Sequence, residues 1–365
     1  MKKLKRIEVE GFKSIRKMDL ELGDINVLIG ANGAGKSNLL SLFKMLNSIV
    51  KGEMQLFIIR FGGADAFLNY GSNNNPEMNV ALNFELEKGQ LLYKMKLANA
   101  VPDTLIFETE NGYYKLGTSE SFLNNSNSKE SALSQFSKPT EVIKIAKHIF
   151  KQFQVFQFND TSETASIRKH IYIRDYNNLQ SDARNLAAFL YMLQESKPDY
   201  YQRIISTIKL AAPFFKDFIL KPDPINSNMI MLNWREIKSD YLFGPHQLPD
   251  GLLRFIALTT LLLQPEEYLP EIIIIDEPEL GLHPYAIEIL GGSLKSVSHH
   301  SQVIIATQSV NLVDQFEPED IITVERKNGE SVFNRPEMKN LEEWLEDYTL
   351  SELWEKNVLG GTPSR

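Results

Sequence analysis

Apolar and polar residues alternate along "LKRIEVE" (4–10) and again over 15–22, as in strands with one buried face. "INVLIG" (25–30) is a nearly unbroken apolar run, the pattern of a strand covered on both faces. The stretch "KSNLLSLFKMLNSIV" then sets Leu39, Leu42, Phe43 and Leu46 on one side of a helix. Between 55 and 135 the texture changes. Gly62-Gly63, "YGSNNNPEM" (70–78) and "LNNSNSKES" (123–131) predict loops. "MNVALNFELEKGQLLYKMKLA" and "TLIFETENGYYKL" alternate like antiparallel hairpins, with turns at Lys88-Gly89 and Asn111-Gly112. Helical spacing returns at 140–153, 182–193 and 199–215, followed by a strand at 228–237. From Gly251 the order is helix "GLLRFIALTTLLL", strand "EIIIID", helix "PYAIEILGGSLKSV", strand "QVIIAT", a helix near 309–316, and strand "DIITVER". The tail "NLEEWLEDYTLSELWEKNVLGG" predicts a pair of acidic amphipathic helices. No internal repeat or sustained heptad is present, which argues against a long coiled-coil arm.

Composition narrows this α/β pattern. The 365 residues suit two or three domains, or one with a large insertion. The net charge of −8 and pI near 5.5 exclude a wholly basic nucleic-acid coat, though not a local patch. Lys2, Lys3, Lys5, Arg6, Lys13, Arg16 and Lys17 form such a patch; it reads equally as solvated strand edges or as contacts to a DNA backbone. The absence of cysteine excludes disulfides and thiolate metal sites, and the six histidines show no metal-ligand spacing. The basic N-terminus is not followed by an apolar core of the signal-peptide kind. No apolar run reaches the ~18 residues a membrane span needs, so a soluble, cytoplasmic chain is expected.

The most specific motif is "GANGAGKS" at 30–37, which fits G-x-x-x-x-G-K-[ST] between a buried strand and an amphipathic helix. Gly30, Gly33 and Gly35 permit the loop's turns. The amides of Ala31, Asn32 and Ala34 with those of the glycines, and the helix N-terminus, would face a triphosphate. Lys36 would reach its β- and γ-phosphates, and Ser37 would ligate Mg²⁺. Such a loop needs a second strand that delivers an acid to the metal. Asp276, at the end of "IIIID", is that acid, and Glu277 stands one residue beyond, placed to polarise the attacking water. The alternative for Glu277 is a solvated strand-end carboxylate. Pro278 prevents the ladder from continuing.

These residues carry a resemblance. "DEPELGLHP" (276–284) resembles the Walker B and D-loop of ABC-type ATPases, especially the soluble RecF, SMC and OLD-like branch. The opening "IEVEGFKSIRKMDLELGDINVLIGANGAGKSN", including Asn38, resembles the N-terminus of that branch, and "VIIATQSVNLVD" its switch strand. The likeness is strong over 1–50 and 240–330. Residues 150–195 and the tail look like stand-alone bacterial predicted ATPases without a fused nuclease. The resemblance implies a P-loop NTPase fold of the ABC-type head, with a mixed central sheet, an antiparallel β-lobe and a helical lobe carrying the signature. It divides the chain into 1–54 (Walker A), 55–240 (inserted lobes), 241–335 (signature, Walker B, D-loop and switch) and a tail, 336–365. "LPDGLLRF" (248–255) is the signature candidate, contributing Asp250 and Gly251 to a partner subunit's ATP; otherwise it is an ordinary Pro-Asp-Gly turn. Pro249 departs from the family's serine and offers neither hydroxyl nor N–H. Gln308 takes the switch position where histidine is frequent, and can hydrogen-bond but not titrate. For the Q-loop, Gln55 and Gln157 both stand as candidates.

The expected function is an ATP- and Mg²⁺-dependent ATPase working as a head-to-tail homodimer. It would serve DNA maintenance or anti-phage defence with a separately encoded effector such as a nuclease. The alternative is a slow nucleotide-gated sensor that holds a nuclease or toxin inactive. A transporter subunit is disfavoured by "EGFKSI" and the altered signature. The tail acids Glu342, Glu343, Glu346 and Asp347 read as a solvated face rather than a nuclease cluster.

Overall fold

The computed structural model of the chain describes residues 2–135, 139–337 and 341–361. Three strands open it: β1 (Lys3–Phe12), β2 (Ile15–Glu21) and β3 (Ile25–Ile29). Ile7 and Val9 of β1 are buried on one face, whereas all five residues of β3 are buried, as their two patterns predict. The glycine-rich loop leads from β3 into helix α1 (Lys36–Lys51), and α2 (Met54–Arg60) follows. Next come β4 (Glu77–Glu85), β5 (Gln90–Ala100), β6 (Thr104–Leu116) and β7 (Ser119–Ser128), then α3 (Ala132–Gln135) and α4 (Glu141–Gln152). β4 to β7 extend β1 and β2 into a six-stranded antiparallel sheet, ordered β2-β1-β4-β5-β6-β7.

Two loop expectations fail in this sheet. Asn111-Gly112 is not a turn: Gly112 pairs with Tyr93 and Leu123 inside β6. A Cβ there would lie 2.8 Å from a Val142 methyl carbon on α4, so the glycine serves close helix approach rather than chain reversal. "LNNSNS" is not a loop but the second half of β7, whose polar side chains suit an edge strand.

The middle of the chain supplies β8 (Val155–Phe156), β9 (Ile171–Tyr172), α5 (Leu186–Ser196), α6 (Pro198–Ala211), β10 (Phe215–Ile219), β11 (Met229–Ile230) and β12 (Asn233–Glu236). The single strand expected at 228–237 is therefore two, β11 pairing with β9 and β12 with β10. α5 starts later than its spacing suggests, because Asn185 closes the preceding loop by donating to the Asp175 and Asn178 carbonyls. α6 ends before Pro213, which disfavours helix in the residue ahead of it.

The last third comprises α7 (Asp250–Leu263), β13 (Ile272–Asp276), α8 (Pro284–Val297), β14 (Gln302–Thr307), α9 (Val310–Val313), β15 (Ile321–Lys327), β16 (Glu330–Asn334), α10 (Glu342–Leu345) and α11 (Leu350–Glu355). The side chains of Glu342 and Glu343 lie outside the described residues. A second six-stranded sheet is ordered β16-β15-β3-β14-β13-β8, parallel except for β16.

Both faces of this sheet are covered. Ile272 and Ile274 join the core that holds α1 and the antiparallel sheet, while Ile273 and Ile275 join the core of α5 to α8. That explains four successive isoleucines, each contributing roughly 1.5–3 kcal/mol on burial. α1 is buried beyond its expected stripe, at Leu40, Met45, Ile49 and Val50 as well. Gln302 ties the sheets together: its side chain accepts from the Leu4 N–H (2.9 Å) and donates to the Leu4 carbonyl (2.9 Å) and the Gly23 carbonyl (2.7 Å). Among the described residues no helix is long and apolar enough to cross a membrane.

Candidate nucleotide-binding site

The loop 30–37 sits at the carboxyl end of β3, where neighbouring strands dictate its glycines. A Cβ on Gly30 would lie 2.1 Å from the Val324 carbonyl oxygen of β15, and one on Gly35 (φ 121°) would lie 2.0 Å from Ser331 Oγ. Gly33 (φ 78°) has open space beside it, with Asn32 and Ser37 exposed. No side chain caps the N-terminus of α1, which suits an anion there. Asn38 donates to Ser14 Oγ (2.5 Å), and Ser14 shares a hydrogen bond with Ser331 (2.6 Å). Ser331 Oγ donates in turn to the Ala34 carbonyl (2.5 Å), so the loop is braced from β1–β2 and from β16.

Lys36 is nearly buried, and its amine donates to the carbonyls of Gly30 and Ala31. Burial lowers its pKa below the usual lysine value, opposed by the charges of Glu277, Asp276 and Glu279. The loop and the end of β13 thus form one electrostatic unit. Burial, and secondarily Glu277, raise the pKa of Asp276, while Lys44 and Lys36 oppose this. The Ser37 hydroxyl and Asp276 carboxylate are hard oxygen donors of the kind Mg²⁺ takes alongside phosphate oxygens and water.

The two Q-loop candidates separate clearly. Gln157 follows β8 at the edge of the parallel sheet; its Nε2 donates to Asp276 Oδ2 (3.2 Å), and Lys44 donates to its Oε1 (3.4 Å). Gln55 instead donates to the carbonyls of Leu105 (2.9 Å) and Lys129 (2.6 Å) beside the antiparallel sheet. Its position there follows from α2 leading away from the loop toward β6.

Glu277 has φ 47°, a left-handed conformation that is strained for a glutamate, while its N–H still donates to the Ala306 carbonyl (2.8 Å). Strain of this kind gathers where a side chain must be aimed. Gln308 is exposed at the end of β14.

The residue that sequence reasoning missed is Glu279. It is 8% exposed, accepts from Thr307 Oγ1 (2.6 Å) and the Gln308 N–H (3.4 Å), and its Oε2 has no hydrogen-bond partner among the described residues. It therefore clamps the turn after β13 to the switch position. In the sequence it is one more acid in "DEPEL", with nothing to mark it as buried. Burial raises its pKa above the ordinary 4.5, against the lowering hydrogen bonds from Thr307 and backbone; Glu277 adds to the rise. The folded state then holds a proton that the unfolded chain releases, so stability falls as pH rises from the ordinary value through the folded one. Glu279→Gln removes this titration and keeps an acceptor for Thr307. Melting temperatures measured between about pH 4.5 and 8 are expected to fall less steeply in the variant; parallel profiles would contradict the assignment.

The signature candidate opens α7, with Pro249 as its N-cap residue. Gly251 packs against the turn that follows β13, where a Cβ would meet the Gly281 carbonyl oxygen at 2.2 Å. Asp250 is exposed but pairs with buried Arg168 (2.6 Å), which also donates to the carbonyls of Thr161, Pro245 and Leu248. Arg254 on α7 donates to the Phe158 (3.2 Å), Asn159 (2.9 Å) and Leu280 (2.9 Å) carbonyls, linking the segment after Gln157, α7 and the turn that follows β13.

The N-terminal basic patch is largely paired: Lys2 with Glu271, Lys3 with Asp24, Lys5 with Glu85, Arg6 with Asp19 and Arg16 with Glu330. Lys13 is half-buried beside Phe12 and Phe67. These pairs favour strand edges over a DNA contact.

Comparison with solved structures places the fold. An SMC head bound to the C-terminal winged-helix domain of ScpA superposes with a TM-score of 0.61 at 16% identity, covering 92% of this chain and 98% of that one. The SMC head with an extended coiled coil bound to the C-terminal domain of ScpA, derived from Pyrococcus furiosus, gives 0.59 at 14%, covering 95% and 99%. No curated protein matches the sequence. At these identities the likeness shows the fold alone, that of an SMC head. Residues 25–314, from β3 through α9, match the family described as "AAA domain, putative AbiEii toxin, Type IV TA system", and the chain belongs to that family.

Proposed function

We propose that this chain binds ATP with Mg²⁺ and hydrolyses it. The observation that carries the reading is the glycine-rich loop with buried Lys36 at the carboxyl end of β3, in the same parallel sheet as β13, whose end presents Asp276, bonded by Gln157, and Glu277 in a left-handed backbone. In this reading the Lys36 amine and the N–H groups of Asn32, Gly33, Gly35, Lys36 and Ser37 bind the phosphates, whereas the Ala31 and Ala34 N–H groups, expected among them, donate instead to the Gly361 and Ala31 carbonyls. Ser37 and Asp276 hold Mg²⁺, which would neutralise charge developing on the β- and γ-phosphate oxygens. Glu277 takes the proton of the attacking water, Gln157 orients Asp276, and Gln308 hydrogen-bonds near the γ-phosphate. Glu279 keeps Gln308 in register with the turn that carries Glu277.

The working unit we propose is a head-to-tail homodimer, in which Asp250 and Gly251 of one subunit approach ATP held by the other. Within one chain Asp250 is bonded to Arg168 and Gly251 packs on Gly281, so both are presented by a braced turn. A separately encoded effector would read the dimer state, in DNA maintenance or defence. The family description, which names a putative toxin and a Type IV toxin–antitoxin system, supports a toxin–antitoxin setting for this reading. Light scattering on Glu277→Gln tests the assembly: ATP-Mg²⁺ is expected to double its mass. A monomer with bound ATP would sink the dimer. It would favour the second reading, a slow nucleotide-gated sensor, to which Pro249 also points because it removes a donor from the signature.

A further inference from the structure

We propose that residues 350–361 are a positioning element of the nucleotide site, holding the phosphate loop at Ala31 and tying it to the helix that follows Gln308. The proposal rests on the ATP reading above. At one end, the Gly361 carbonyl accepts from the Ala31 N–H (3.1 Å), while the Gly361 N–H donates to Glu325 Oε1 on β15 (2.7 Å). The turn demands glycine. Gly360 and Gly361 have φ 80° and 86°, and a Cβ on Gly360 would lie 2.1 Å from Glu325 Oε1. At the other end, the Ser351 N–H and hydroxyl donate to the two carboxylate oxygens of Asp314 (2.8 and 2.7 Å). Asp314 closes α9, whose N-cap Ser309 adjoins Gln308. Between these anchors Leu350, Leu353 and Leu359 are buried in the second core.

The contact at Ala31 falls at a sensitive point. The same residue's carbonyl accepts from the Lys36 amine (3.2 Å) and the Ala34 N–H (3.2 Å). When Lys36 turns to a phosphate, Ala31 loses that partner, and the Gly361 carbonyl remains to hold it. Ala31 lies five residues before Lys36. Its N–H can therefore be held without blocking the amides at the start of α1. One segment thus fixes both the loop that binds phosphate and the helix beside the switch residue.

The test is the double variant Gly360→Ala/Gly361→Ala, which disturbs the turn and leaves the leucine anchors in place. Hydrogen exchange in nucleotide-free protein is expected to quicken over 28–38. ATPγS affinity is expected to weaken about fivefold, the loss of roughly one backbone hydrogen bond. KM should rise with kcat nearly unchanged. Asp314→Ala, which frees the other anchor, is expected to act in the same direction and serves if the glycine variant does not fold. Wild-type exchange over 28–38 in a folded variant overturns the proposal, as does faster exchange with unchanged affinity. If the wild-type chain itself fails to bind ATPγS, the ATP reading falls, and the exchange measurement still decides whether the segment holds the loop.

Discussion

Glu277→Gln is expected to lower ATP hydrolysis about a hundredfold or more while ATP still binds. The carboxylate is aimed by a left-handed backbone at the end of β13, anchored through its N–H to Ala306. Glutamine fits the same space and accepts the same hydrogen bonds from water, but it cannot take a proton at neutral pH. The substitution also removes a negative charge beside Asp276, which Glu277 pushes toward its neutral form, and beside the phosphates. Asp276 then ionises more readily and nucleotide is held more tightly. Steady-state phosphate release and equilibrium binding separate the two effects. Hydrolysis within about threefold of wild type would remove Glu277 from the role of base, since general-base catalysis is worth at least about a hundredfold.

Arg168→Ala is expected to destabilise the fold by about 3 kcal/mol or more. The guanidinium is 4% exposed and binds three backbone carbonyls besides Asp250. Alanine would leave the carbonyls of Thr161, Pro245 and Leu248 without that donor in a buried turn. The magnitude lies in those carbonyls rather than in the ion pair. Asp250 is 64% exposed, so Asp250→Asn should change stability by less than about 1 kcal/mol. Denaturant unfolding of the two variants makes the comparison; equal losses would show that the charge pair, not the backbone brace, dominates. Because the brace sets the start of α7, Arg168→Ala should also abolish ATP-dependent association at temperatures where it is folded.

Much of this site was legible because its signals are local. The phosphate loop is eight consecutive residues between a strand and a helix, although the crowding that requires glycine at 30 and 35 comes from Val324 and Ser331 on distant strands. The run "IIIID" carries its own reading, because a strand apolar on both faces must be sandwiched, and an acid at its end must emerge at the sheet's edge. Local signals also misled. Asn111-Gly112 has the composition of a turn, yet its glycine answers to Val142 on a helix some thirty residues later. The polar run of β7 has the composition of a loop, yet backbone pairing with β6 holds it as an edge strand.

The sequence by itself determined most of the elements, though not the continuity of β6 and β7 or the split of 228–237, together with the phosphate loop, the acid pair at the end of β13 and the α/β class, since each of these depends on residues within about one helix or strand of one another. Only the tertiary structure decided which glutamine meets Asp276, because β8 pairs with β13 across more than a hundred residues. It alone buried Glu279 against Thr307, braced Asp250 with Arg168, and brought Gly361 onto Ala31. These are contacts between segments far apart in the chain. No periodicity or spacing encodes them, because burial and partner are set by how the layers pack.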